Sequence, residues 1–276
     1  ALGRNGFQFF DPEMQSSAMQ RLDVEKGLHQ ALENDEFQLV FQPQVKPNGE
    51  MVGVEALIRW NHPEKGLLMP GDFIDIAEDS GQIIEVGKWV LSHALQQLKA
   101  WMNVGLPEGF NRLAVNVSPI QFMQVDFVDH LLAKMKELQV PGNMLELEIT
   151  ENMLVDNIEI ASSKMKLLKL QGVSFSIDDF GTGYSSLRYL QYLPLDILKI
   201  DRSFITNLRI DSDEAAIVEV IITTADRLGL TVIAEGVENI EECQALQAMG
   251  CFCYQGYYFS KPVSAEELYE TWCKAA

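Results

Sequence analysis

The sequence predicts an α/β protein, a modified (β/α)8 barrel of the TIM type whose first strand runs antiparallel to its second. Three observations predict it. Eight apolar runs rich in β-branched and aromatic residues recur along the chain, helical spacing fills the segments between them, and the first connection is too short for a helix. The runs occupy 37–42, 51–60, 112–117, 144–150, 173–178, 196–200, 230–235 and 251–255. Between them, Gly81 to Met102 puts Ile84, Val90, Leu91, Ala94, Leu95, Leu98 and Trp101 largely on one face, and Glu214 to Leu228 repeats that spacing. Alternation of strand and helix implies a parallel sheet. Eight such units in 276 residues suit a closed barrel better than an open doubly wound sheet, and no Gly-x-Gly-x-x-Gly follows the first run to favour a dinucleotide fold. The exception is the first connection, VKPNGE, because a parallel crossover needs about a dozen residues. Asn48-Gly49 within it is a hairpin signal, and a turn centred there sets Gln42 opposite Glu55.

Composition bounds the function. With 47% apolar residues and a formal net charge of −19, the chain reads as a soluble, acidic, globular protein. That charge repels a polyanion held by Lys and Arg, so groove-type nucleic-acid binding is disfavoured. No apolar stretch approaches the ~18 residues of a membrane span, and the N-terminus lacks a basic flank followed by an apolar run. The expectation is a cytoplasmic segment without membrane contact. Cys243, Cys251, Cys253 and Cys273 lack Cys-x2-Cys pairing and nearby histidines, and read as reduced thiols.

Each run ends at or near a polar side chain: Gln42, Glu55, Asn116, Glu148, Asp178 with Asp179, Lys199, Glu235 and Gln255. In a barrel these ends converge on one mouth, where catalytic groups gather. Singly, each is an ordinary cap or solvated residue; the set points to chemistry. Carboxylates packed this closely repel one another unless cations sit among them, and oxygen ligands select Mg²⁺ or Mn²⁺. His29, His62, His93 and His130 stand apart from the strand ends, which argues against imidazole-bound zinc. The adjacent Asp178 and Asp179 favour a two-metal site, and two ions a few Å apart suit in-line displacement at phosphorus. Lys199 adds one positive charge, either to steady a transition state or metal-bound hydroxide or to close the mouth as a salt bridge. The glycine-rich segment from Phe180 to Ser186 lacks the lysine of a P-loop and reads as a lid, with Ser185 or Ser186 capping a short helix near Leu187.

At Glu55-Ala56-Leu57-Ile58-Arg59 the chain resembles the EAL-domain family of cyclic di-GMP phosphodiesterases. Further matches follow in order: Asn116-Val117-Ser118 with Gln121-Phe122, Glu148-Ile149-Thr150-Glu151, the Asp178 to Ser186 loop, Lys199-Ile200-Asp201, Glu235-Gly236-Val237-Glu238 and Gln255-Gly256-Tyr257. The resemblance implies a modified barrel with an antiparallel first strand and Mg²⁺- or Mn²⁺-dependent hydrolysis of cyclic di-GMP to linear pGpG. It implies that Glu55, Asn116, Glu148 and Asp178 hold one metal and that Asp178 and Asp179 serve the second. Glu235 resembles a general base or second-metal ligand, and Lys199 a water-orienting lysine. Gln42, Leu57 and Arg59 match positions that contact the dinucleotide, Gln255 matches one lining the guanine cleft, and Glu238 a further glutamate on the substrate side. Glu151 resembles the glutamate that steadies the Asp178 to Ser186 loop, which the resemblance links to activation in a homodimer. Phe252 departs from the family pattern, in which many members carry an acidic residue.

Residues 1–17 resemble the tail of a diguanylate cyclase (GGDEF) domain, so they read as a linker or tail, with 18–276 as the EAL phosphodiesterase domain and regulatory domains upstream. Two other readings remain open. One is a catalytically silent cyclic di-GMP receptor. The other is a Mg²⁺-assisted barrel enzyme with Lys199 as base to an enolate, against which the aspartate pair argues.

Overall fold

The computed structural model describes residues 12–150, 158–181, 192–210 and 212–273. Eight strands form one sheet: β1 (Phe37–Val45), β2 (Met51–His62), β3 (Gly66–Leu68), β4 (Arg112–Asn116), β5 (Leu145–Thr150), β6 (Ser174–Phe180), β7 (Ile197–Ile200) and β8 (Thr231–Ala234). Hydrogen bonding runs β1-β2-β4-β5-β6-β7-β8, with β3 folded back on β2. β1 pairs antiparallel with β2, and Gln42 stands opposite Glu55 as the Asn48-Gly49 turn predicts; every pair from β2–β4 to β7–β8 is parallel. The helices are α1 (Pro12–Glu33), α2 (Pro70–Ser80), α3 (Ile83–Val104), α4 (Pro119–Phe122), α5 (Phe127–Leu138), α6 (Ile158–Lys169), α7 (Arg202–Ile205), α8 (Asp213–Leu228), α9 (Ile240–Ala248) and α10 (Ala265–Leu268).

The eighth run is shorter as a strand than its composition suggests. Within 251–255 only Tyr254 forms ladder bridges, antiparallel to Val45 and parallel to Ala234. Those bridges close the ring: Tyr254 N donates to Val45 O (2.8 Å), Val45 N to Tyr254 O (2.9 Å) and Gln255 N to Ala234 O (2.9 Å). The β2–β3 hairpin was not legible as an extra strand. Its turn places Gly66 at φ 73°, a left-handed conformation that glycine adopts without steric cost.

Strand parity explains the alternation in LELEIT and SFSID. Residues two apart share a face, so the strand-end set continues downward as Gln44, Gly53, Ala114, Glu146, Ser176, Ile197, Ile233 and Cys253 inside the barrel. The opposite parity is apolar and buried, as in Val54, Leu113, Val115, Leu147, Ile149, Phe175, Ile177 and Leu198, and packs under the helices. α3 buries Val86, Val90, Leu91, Ala94, Leu95, Leu98 and Trp101 against this surface. Phe37 packs with Trp60, Phe73 and Trp89 at centroid separations of 5.6, 5.9 and 5.7 Å, tying α2 and α3 to the antiparallel pair. Burial of each such ring contributes roughly 2–3 kcal/mol.

Caps start helices just beyond the strand ends. Ser118 Oγ accepts from Gln121 N at 3.1 Å, two residues past β4, and Asp201 Oδ1 accepts from Ser203 N at 3.0 Å directly after β7. The chain thus turns sharply after presenting Asn116 and Lys199 at the mouth. All four cysteines carry free thiols, and burial pushes Cys251 up to about 12. Among the described residues no helix is long and apolar enough to cross a membrane.

Candidate active site

Lys199 is the hub of the mouth. It is 1% exposed, and its Nζ lies 2.6 Å from Glu235 Oε1, 2.7 Å from Glu148 Oε2, 3.4 Å from Asp178 Oδ1 and 3.6 Å from Glu55 Oε2. Five residues on or just past five different strands therefore converge on one point; four stand at or next to a strand end, and Glu55 lies within β2. Asn116 Nδ2 donates to Glu55 Oε1 at 2.6 Å, and Gln255 Nε2 donates to Glu55 Oε2 at 2.5 Å and to Gln42 Oε1 at 3.1 Å. Gln42 Nε2 in turn donates to Ser260 O at 3.0 Å.

The titration of these groups follows from burial and mutual repulsion. Burial raises Glu148 well above the usual carboxylate range, Glu55 and Asp178 add to the effect, and Lys199 opposes it. Glu235 is pushed up to about 8, again by burial first, with Lys199 opposing and the Asp178 and Glu55 charges adding. Burial also pushes Glu55 upward, but Lys199 and the hydrogen bonds from Gln255 and Asn116 outweigh it and leave that carboxyl below its ordinary value. Burial alone would lower Lys199; Asp178, Glu148, Glu235 and Glu55 reverse that and hold the ammonium well above its usual range.

Asp178 and Asp179 line two spaces that adjoin at Leu57. β6 changes register between Ile177 and Phe180, and Asp179 adopts φ 54°, a left-handed conformation that aspartate tolerates better than most residues. Asp178 Oδ1 accepts from Asp179 N at 3.0 Å. Asp178 lines a cavity of about 270 Å³ with Gln42, Glu55, Leu57, Glu235, Glu238, Gln255 and Tyr257, whereas Asp179 lines a cleft of about 610 Å³ between the mouth and α2–α3. Burial raises Asp179 above its ordinary value, and Asp178 and Asp201 add to the shift.

The remaining expected residues are less central. Leu57 lines both spaces and forms the wall between them. Arg59 is buried, lines neither, and donates from NH1 to Ile58 O at 2.8 Å; burial lowers its pKa while Tyr257 and Glu55 pull it back. Glu238 is exposed and pairs with Arg202 NH2 at 2.8 Å. Glu151 and most of the glycine-rich segment, from Thr182 onward, lie outside the described residues. The strand-end reading passed over Gln44, whose Nε2 donates to Gln255 Oε1 at 3.2 Å, and Arg202, which stands two residues past β7 and lines the smaller cavity. Gln44 was legible from parity, being two residues beyond Gln42 on the same face.

The donor set suits a hard divalent cation. Glu148 Oε1 is buried with no hydrogen-bond partner, and a single lysine faces four carboxylates. Among the described residues no three His, Cys, Asp or Glu side chains already stand as a metal cage, because the carboxylates close on the Lys199 ammonium instead.

Comparisons with known proteins agree with this geometry. A model of the EAL domain family matches residues 25–262. The chain is 42% identical over 267 residues to the bifunctional diguanylate cyclase/cyclic di-GMP phosphodiesterase MucR of Pseudomonas aeruginosa, covering 96% of this chain and 39% of MucR. It is 41% identical over 271 residues to the cyclic di-GMP phosphodiesterase NbdA of the same organism, covering 98% of this chain and 34% of NbdA. The solved structure of the MucR phosphodiesterase in complex with cyclic di-GMP matches with a TM-score of 0.84 at 42% identity, over 89% of this chain and 99% of that one. The chain spans less than two fifths of the length of these two curated relatives. With the antiparallel first strand, the ordered motifs and the matched span in agreement, the chain belongs to the EAL domain family.

Proposed function

We propose that the chain is a metal-dependent phosphodiesterase that cleaves one phosphodiester bond of cyclic di-GMP to give linear pGpG. The observation that carries this reading is the convergence of Glu55, Glu148, Asp178 and Glu235 on buried Lys199, between two clefts that share Leu57. The similar proteins MucR and NbdA, named for cyclic di-GMP hydrolysis, supply the substrate.

Glu55, Asn116, Glu148 and Asp178 would hold one Mg²⁺ or Mn²⁺, and Asp178 with Asp179 a second. When bound, the ions supply Lewis-acid stabilisation of the negative charge that builds on the phosphoryl oxygens. The chain's own groups do the rest. Lys199, surrounded by four carboxyl groups, donates hydrogen bonds and orients the attacking water. Glu235 lines the smaller cavity at a pKa of about 8, and a divalent charge nearby draws that value toward neutrality, where a general base works best. It accepts the water proton as oxygen attacks phosphorus and the bond to the 3′ oxygen breaks; that oxygen leaves as a hydroxyl after protonation from solvent. Asn116 and Gln255 fix Glu55 from both sides, and Gln42 holds Gln255.

The test is incubation with cyclic di-GMP and Mg²⁺ or Mn²⁺, with a chelator control and chromatographic separation of nucleotides. Metal-dependent pGpG supports the reading; bound but intact ligand would make the chain a receptor. The proposal extends to a homodimer under the control of upstream domains: Ile160, Leu167, Leu170 and Tyr192 are exposed apolar side chains on and after α6 that a second copy would cover. Sedimentation of the chain alone and of its full-length parent tests that part.

A further inference from the structure

A second polar layer lies inside the barrel below the mouth. Gln44 and Glu146 are 0% exposed, and Arg112, the first residue of β4, is largely buried beside them. Arg112 Nε pairs with Glu146 Oε2, and Arg112 NH2 lies 3.5 Å from Gln44 Oε1. Gln44 Nε2 donates to Gln255 Oε1 at 3.2 Å, and Gln255 Nε2 donates to Glu55 Oε2 at 2.5 Å. Gly53 makes the lower part of this chain possible. Gln44, Gly53 and Arg112 are register partners on β1, β2 and β4, and a Cβ on Gly53 would stand 2.8 Å from Gln44 Oε1 and 3.4 Å from Arg112 Cγ. Gly53 lies outside the left-handed region, so what it supplies is space, and any side chain there would wedge between Gln44 and Arg112.

Donor and acceptor chemistry gives the chain a direction. A guanidinium only donates and an ionised carboxylate only accepts, whereas a carboxamide does one on each side. With Arg112 at one end, Gln44 turns Oε1 to the guanidinium and Nε2 to Gln255. Gln255 then turns Oε1 to Gln44 and Nε2 to Glu55. Reversing the Gln255 amide would set its oxygen against the Glu55 carboxyl group.

We propose that Gln44, with the Arg112–Glu146 pair behind it, is a positioning residue that locks the Gln255 carboxamide with its N–H groups toward Glu55 and so orients a carboxylate of the metal set. This rests on the metal-dependent reading above and adds to it a support that reaches through the barrel from the face opposite the mouth. Arg112 stands four residues, or about 13 Å of strand, before Asn116.

The experiment compares wild type with Gln44→Leu, which removes both polar atoms, and Gln44→Glu, which keeps the shape and the acceptor toward Arg112 but offers Gln255 no donor. In Q44E the Gln255 amide turns its N–H groups to position 44 and its oxygen to Glu55. Readouts are the Kd for Mn²⁺ by calorimetry, Tm in chelator, and kcat and KM for cyclic di-GMP at saturating Mn²⁺. The expected result is a Kd for Mn²⁺ raised about tenfold in Q44E and about threefold in Q44L, with kcat falling in the same order and KM changing less. Tm follows the opposite order, because Q44L leaves Gln255 Oε1 and the Arg112 arm without a partner while Q44E keeps Arg112 paired. An added negative charge by itself would tighten Mn²⁺, so weakening in Q44E reports the turned amide. A Q44E variant that binds Mn²⁺ as tightly as wild type or tighter, or affinity losses ranked in the same order as the losses in Tm, overturns the inference and gives Gln44 a packing role. If Q44L does not fold, Q44E against wild type decides alone. The Mn²⁺ readout does not depend on turnover: a wild type that binds no Mn²⁺ overturns the metal-dependent reading and this inference together, whereas a wild type that binds it beside an unaffected Q44E overturns this inference alone.

Discussion

Replacing Lys199 by methionine removes the one cation that the described residues place among Glu55, Glu148, Asp178 and Glu235, with Nζ to carboxylate distances of 2.6 to 3.6 Å. Breaking a buried ion pair from one side costs about 3–5 kcal/mol, because the partner is left as an uncompensated buried charge. Here the carboxyls can respond by protonating, and Glu148 and Glu235 already titrate above their ordinary range, so the lower end, ~3 kcal/mol, is expected at pH 7 without metal. For a chain of this size that lowers Tm by roughly 6–10 °C. The pH dependence has a definite sign. A carboxyl whose folded-state pKa is raised above its unfolded value binds extra protons in the fold, so its contribution is fully present below about pH 4.5 and is lost as pH rises through its folded pKa, about 8 for Glu235. Loss of Lys199 raises the folded values further. The deficit of K199M is therefore smallest near pH 4.5 and widest above pH 8, and Mn²⁺ recovers much of it by replacing the missing charge. Thermal unfolding in chelator and in Mn²⁺ across that range measures it. A variant as stable as wild type in chelator at pH 8, or one that Mn²⁺ leaves unchanged, refutes the picture of carboxylates gathered for cations.

Four further outcomes follow from the same geometry. Glu148→Gln keeps the fold within about 1 kcal/mol, because burial already favours the neutral form, but weakens Mn²⁺ binding at least about tenfold by calorimetry; unaltered affinity would remove Glu148 from the ligand set. Mn²⁺ titrations at pH 7 in buffers of different ionisation enthalpy should show release of about one to two protons, since Glu148 and Glu235 must deprotonate beside the ion, and zero release would contradict their raised pKa. Gly256→Ala places a Cβ 2.0 Å from Val237 O and 2.3 Å from Val237 N, so the segment carrying Gln255 must shift; a loss of about 1–3 kcal/mol in chemical denaturation and a fall in activity are expected, and a neutral variant would show that this segment yields freely. Cyclic di-GMP affinity should fall in chelator, because a chain of net charge −19 offers a dianion little attraction without added cations.

How much of this was legible depends on which periodicity carried the information. The hairpin register was readable to the residue because Asn48-Gly49 fixes the turn, and Gln42 opposite Glu55 follows from it. The set was readable because most runs carry a polar residue at or next to their end, Glu55 in the middle of 51–60 being the exception, and the structure brings Glu55, Glu148, Asp178, Lys199 and Glu235 to one point. Closure at 251–255 was legible as position but not as extent: CFCYQ has strand composition, yet a single residue, Tyr254, bridges both neighbours, and residue preference does not report how long a ladder runs. Arg59 has the composition of a phosphate ligand and the right parity, but its guanidinium bonds to the adjacent Ile58 carbonyl, a rotamer choice that spacing cannot convey.

The arrangement around Lys199 also accounts for how so acidic a mouth can exist before any ion arrives. Four carboxylates with one ammonium would carry a large uncompensated charge if all were ionised, and burial makes that state costly. The structure divides the load. Glu55 is kept anionic by two amide donors and the lysine, Glu148 and Glu235 are held toward the neutral form by burial and repulsion, and Lys199 spans them all. The protein therefore folds around a mouth whose carboxylate charge is lessened by the raised pKa of Glu148 and Glu235, which ties cation uptake to proton release. Lys199 thereby has two connected consequences: it offsets carboxylate charge within the fold, and its fixed charge opposes the burial that raises Glu235, easing loss of the proton on which the proposed role of Glu235 as base depends.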